Sequence, residues 1–135
     1  MSSALKCLLL CAATVTAGSA WGHHSFAMFD LDKEVKLDGE VKDLQWANPH
    51  AWLEIVVPDG HGGSMQWSLE MGTTGMLTRA GWKSSTLKPN DKVTVVVNPS
   101  KSGAPSGRLV SVTLPDGRVL GPGGPAQSSP PKPPV

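Results

Sequence analysis

Residues 34–46 read EVKLDGEVKDLQW, and the fold turns on how that run is phased. Val35, Leu37, Gly39 and Val41 share one face, while Lys36, Asp38, Glu40 and Lys42 share the other. Alternation of period two defines a strand with one buried and one wet face. Beyond Val41 the phase slips, because Leu44 and Trp46 rejoin the apolar face only if one residue is inserted. A slip inside a long strand, near Gly39, predicts a bulge or a sharp bend. Long bent first strands are how small barrels turn their corners.

The neighbouring segments fit that start. Asn48-Pro49-His50 reads as a turn, because Pro49 fixes its own φ and disfavours the helical region at Asn48. Residues 51–57 form a second strand, and the glycine-rich stretch 58–63 a hairpin loop. Residues 64–70 form a third strand, with Met65, Trp67 and Leu69 on one face. Thr73 caps a short helix over residues 74–80, which Gly81 ends. Residues 92–98 and 108–114 supply a fourth and a fifth strand, and residues 118–120 a short final extension. The order strand, strand, strand, helix, strand, strand is that of an all-β, five-stranded OB-like barrel with one short helix between strands three and four. A barrel also leaves few exposed strand edges.

Flanking composition separates this domain, residues 23–120, from its ends. Residues 1–20 carry Lys6, then an apolar run, then small residues, the pattern of a secretory signal. Cleavage fits after Ala20 or after Gly22. Both cysteines, Cys7 and Cys11, fall inside that segment, so the exported chain holds no disulfide. The expected location is periplasmic or secreted. Residues 121–135 contain six prolines and a single charge, the composition of a disordered tail. With Lys6 set aside, 11 basic side chains balance 11 acidic ones. That balance excludes a nucleic-acid binder, which carries a basic excess, and a polybasic membrane anchor on the mature chain.

The residues able to carry chemistry are few. The histidines are His23, His24, His50 and His61. Cleavage after Gly22 would give His23 a free amine beside its imidazole. One further imidazole completes a three-nitrogen set, which suits Cu(II) among the divalent ions. His50 is the expected third ligand, with His24 its competitor. His61 lies between loop glycines at the other end of the barrel and reads as solvated. Trp46 and Trp52 flank the Asn48–His50 turn and would frame a ligand pocket there, unless they fill the core. Glu70, ending the third strand, would partner His50 or cap the helix. The chain beyond residue 22 has no catalytic-triad spacing, zinc-protease motif, phosphate loop or paired-cysteine motif. The reading is therefore a binding domain, with copper as the first candidate cofactor. Its rivals are an envelope ligand- or protein-binding module using Trp46 and Trp52, and a copper-dependent oxidoreductase.

His23-His24-Ser25-Phe26, Asp30, the run from Trp46 through Asn48-Pro49-His50-Ala51-Trp52, Trp67 with Glu70-Met71-Gly72, Gly81-Trp82, and Leu87-Lys88-Pro89 with Asp91 and Val93-Thr94-Val95 together resemble a family of small secreted bacterial proteins. That family's domain has no assigned function. The resemblance covers roughly residues 23–120 and implies an exported domain without supplying an activity. Members commonly carry Gly-Asp where this chain has Asn90-Asp91.

Overall fold

The structure is a computed structural model that describes residues 26–122. The signal-like segment, His23, His24 and most of the proline-rich stretch lie outside the described residues. The strands are β1 (Val35–Gln45), β2 (Trp52–Pro58), β3 (Ser64–Glu70), β4 (Lys92–Pro99), β5 (Ser106–Thr113) and a two-residue β6 (Val119–Leu120). Helix α1 (Thr74–Arg79) lies between β3 and β4. Thr73 caps it, accepting a hydrogen bond from the Met76 amide at 3.2 Å.

The sheet runs β3-β2-β1-β4-β5-β6, and a parallel β3–β5 ladder closes it. The expected five-stranded barrel with one helix after the third strand is therefore the observed fold. β1 makes the closure possible by serving two neighbours in turn. Val35 to Glu40 pair with β4, and Glu40 to Gln45 pair with β2. The ladder with β2 slips between Val41 and Asp43, so the extra residue is Lys42, within the stretch between Val41 and Leu44 where the apolar phase slips and three positions past Gly39. The reason is a division of labour along the strand. Gly39 sits where β2 crosses closely: a Cβ there would meet the Val56 carbonyl oxygen at 2.7 Å. The bulge follows, where pairing has passed fully to β2.

The interior is built from the inward residues of every strand. Val41, Leu53, Ile55, Leu69, Val95, Val97, Leu109 and Val112 form it, with Leu77 and Trp82 from the helical connection. Trp82 is 1% exposed, and its indole N–H donates to the Gly121 carbonyl at 2.8 Å. The Gly72 amide donates to the Pro122 carbonyl at 3.0 Å. Residues 119–122 thus fill the gap between β5 and the segment after β3. At the other terminus a 3-10 turn, Phe26–Met28, precedes Phe29, which is buried and bridges to Ser100. Nothing periodic in residues 26–33 announces that docking, which combines one buried aromatic side chain with backbone hydrogen bonds to Pro99 and Lys101.

Candidate functional site

The residues around the Asn48–His50 turn are held by backbone pairing that runs past the β2–β3 ladder. Met71 N–H donates to Ala51 O at 2.9 Å, and Ala51 N–H donates to Gly72 O at 3.0 Å. Asn48 fastens the turn to the helix, its Oδ1 accepting from Thr74 N–H at 3.0 Å and from Thr74 Oγ1 at 3.1 Å. The Asn48–Pro49 peptide bond is cis.

His50 follows directly. Its Nδ1 lies 3.1 Å from Met71 O and 3.4 Å from Glu70 Oε1. Both neighbours are acceptors, so the tautomer that matches this geometry has the proton on Nδ1 and the lone pair on Nε2. A ligating imidazole is oriented in the same way, its other nitrogen donating to a carbonyl or carboxylate. The His50 side chain is 38% exposed and that of Glu70 11%, so the ring edge reaches solvent while its partner stays sheltered.

Glu70 belongs to a longer polar line. The parallel ladder sets Arg108 beside it, in register. Arg108 Nη1 donates to Asn98 Oδ1 at 3.4 Å, and Asn98 Nδ2 donates to Lys33 O at 2.8 Å. Asn98 is buried, so its amide needs both partners. The line runs from the turn across β3, β5 and β4 to the arm that leads towards His23 and His24. That arm is pinned by Asp30 N–H to Pro99 O and by Lys101 N–H to Met28 O, each at 2.9 Å.

The expected site residues are therefore partly assembled. His50 and Glu70 meet, and Trp52 stands opposite Glu70 in the β2–β3 register. Trp46 packs against the core, whereas Trp52 pairs with Gln45 on the outer face; the two indoles are on opposite sides of the sheet. His61 is exposed in the β2–β3 loop, its backbone N–H donating to Asp59 Oδ1 at 2.8 Å. Among the described residues, no group of three or more His, Cys, Asp or Glu side chains converges to hold a metal. No helix among them is long and apolar enough to cross a membrane.

Two features escaped the sequence reading. Arg108 becomes Glu70's neighbour only through the long-range parallel ladder, which leaves no local signal. Glu54 interrupts the apolar run of β2 and is only 8% exposed. It accepts from Gln66 Nε2 at 2.9 Å and from Ser68 Oγ. The signal for that group was the alternation of polar Gln66 and Ser68 with Met65, Trp67 and Leu69. An open groove of about 840 Å³ lies elsewhere, at the bend of β1, lined by Asp38, Glu40, Val56, Asp91 and Lys92 among others. Two of its acids serve the fold: Asp38 accepts from Thr94 Oγ1, and Asp91 accepts from the Lys88 amide.

Barrel order, the helix after β3 and the loop-flanked outer face of β2–β3 define an OB-type domain. The chain belongs to DUF6152, a family of unknown function, whose sequence model matches residues 9–109. No curated protein and no solved structure matches it.

Proposed function

We propose that this chain is an exported, periplasmic or secreted binding domain that takes copper through His50 Nε2, the amine and imidazole of His23, and His24 in support. The observation that carries the reading is the placement of His50: Nδ1 is committed to Met71 O and Glu70, which leaves Nε2 as the ring nitrogen open to a ligand on a partly exposed side chain. Three nitrogen donors suit Cu(II); of the two described imidazoles His50 is the one at this turn, His61 lying in the β2–β3 loop. The other two donors of the proposed set come from the N-terminal arm. Phe29 is anchored at Ser100, and the six residues back to His23 span at most about 20 Å. Ser100 leads through Ser106 and Ser68 to Glu54 of β2, four residues past His50 in the chain. With strands about 4.8 Å apart and a rise of about 3.3 Å per residue, His50 lies roughly 20 Å from that anchor over the surface.

Two measurements decide the matter. N-terminal sequencing of the exported protein should give a start at His23; a start at Trp21 removes the amine chelate. Copper titration of that protein against His50→Ala should then lose at least about tenfold in affinity, the usual cost of removing a ligand's contribution. An unchanged affinity excludes His50 as a ligand.

A further inference from the structure

We propose that the groove at the bend of β1 is covered by the chain's own C-terminal segment, with Lys132 set against Glu40 and the prolines around it laid on the apolar wall. Neither copper nor the N-terminal arm takes part.

The lining of the groove defines what fits it. Val56 and Pro58 of β2 and Pro115 after β5 supply apolar surface, while Asp38, Glu40, Asp91 and Lys92 set the charge. Three acids against one base leave the groove net negative. Asp38 and Asp91 are already engaged by Thr94 and by the Lys88 amide. Glu40 is exposed, and among the described residues its side chain joins no hydrogen bond or ion pair, although Lys92 stands directly across from it in the β1–β4 register. It is the open anionic position. The side chains of Asn90 and Lys92, also in the lining, are donors that are likewise unengaged among the described residues. A fitting occupant therefore brings a cation, apolar bulk and carbonyl acceptors, with few N–H groups left wanting partners.

Residues 123–135 read GGPAQSSPPKPPV and meet each requirement. Five of these 13 residues are proline, and the one charged side chain is Lys132, set between two proline pairs. Proline has no amide hydrogen but keeps its carbonyl acceptor. Its fixed φ also lowers the entropy lost when an extended segment docks.

The place where this segment starts favours it over other occupants. β6 is paired with the groove's own wall: Val119 lies opposite Thr113, a lining residue. One ladder spacing and three further residues put Pro122 within roughly 15 Å of Thr113. Pro122 is itself held by the Gly72 amide. Lys132 follows at up to roughly 31 Å along a polyproline helix, and Gly123-Gly124 permit the chain to reverse. The ammonium group therefore reaches any part of the groove. A tether of this length gives an effective concentration in the millimolar range, so a site with a Kd of about 1 mM is filled at least half the time. A second copy offers the same segment only at its bulk concentration, and at micromolar protein the tethered one wins.

The test is paramagnetic relaxation in the processed protein, whose sequence has no cysteine after Cys11. A nitroxide on Val135→Cys, with the rest of the chain intact, should broaden the amide signals of Gly63, Thr94 and Thr113 in the groove and spare Gly103 in the β4–β5 loop. Lys132→Glu and Glu40→Lys should each cut that broadening about two- to fivefold, the range for losing one exposed ion pair, and the two together should recover part of it. Lys132→Glu changes no residue of the barrel, so it stays decisive if Glu40→Lys does not fold. The proposal is overturned if the three groove signals broaden no more than that of Gly103, which leaves the groove to a separate partner. It is overturned equally if Lys132→Glu leaves the broadening unchanged, or if a nitroxide on a separate, isotope-free copy broadens the signals as strongly, which makes a second molecule the occupant.

Discussion

Gly39→Ala puts the corner of the barrel to the test. A methyl at residue 39 would stand 2.7 Å from the Val56 carbonyl oxygen and 3.2 Å from Val57 Cγ2. Carbon–oxygen contacts settle at about 3.3 Å or more, so β1 and β2 must separate by roughly 0.6 Å at this point. Neither strand is free to retreat, since Gly39 is paired with Val93 on one side and the β2 ladder begins at Glu40 on the other. Overpacking of this kind costs about 1–3 kcal/mol. Removing a glycine's freedom from the unfolded chain returns about 0.4–1 kcal/mol. The net expectation is a loss of about 1–2 kcal/mol, which lowers the melting temperature of a domain this size by about 5–15 °C. Thermal unfolding followed by circular dichroism reads it, with a urea series to check that the m-value is unchanged. Adding Val57→Ala removes the softer contact and leaves the carbonyl, so the double variant should not recover. A melting temperature at or above wild type would refute the argument that close strand crossing fixes glycine here.

Two further outcomes follow from side chains already described. Trp82→Phe loses the indole hydrogen bond to Gly121 and part of a fully buried ring; a loss of about 2–3 kcal/mol is expected in chemical denaturation. Asn48→Ala removes the acceptor for both Thr74 donors and should cost about 1 kcal/mol, whereas Asn48→Asp keeps the acceptor and should melt close to wild type in the same thermal assay.

The strands, the capped helix and the order that implies a barrel are all legible in the chain, because each depends on local alternation or on a capping residue. Val35 to Val41 declare a strand by themselves, and Thr73 declares a helix start. What escapes is whatever depends on partners far along the sequence. The phase slip beyond Val41 declares the bulge at Lys42, but the close crossing that fixes Gly39 depends on Val56 of β2, which no single strand encodes. Arg108 stands beside Glu70 only after a parallel ladder forms across residues 71–105. Of the expected site, the Asn48–His50 turn and the His50–Glu70 meeting are realised. The phase slip already carries Trp46 to the inner side; its separation from Trp52 shows only once the β1–β2 register sets Trp52 opposite Gln45.

The β3–β5 ladder has three rungs, Ser68–Ser106, Leu69–Gly107 and Glu70–Arg108, against seven between β2 and β3. It is the weakest stave joint in the cask, and local opening prefers such joints. Its last rung sets Arg108 beside Glu70, so each time the wall gapes there it is the guanidinium that parts from the carboxylate, while the pairing with β2 keeps Glu70 by the imidazole. Amide hydrogen exchange at these rungs should then outrun exchange in the β2–β3 ladder: the wall can breathe at its seam while the turn beside it stays shut.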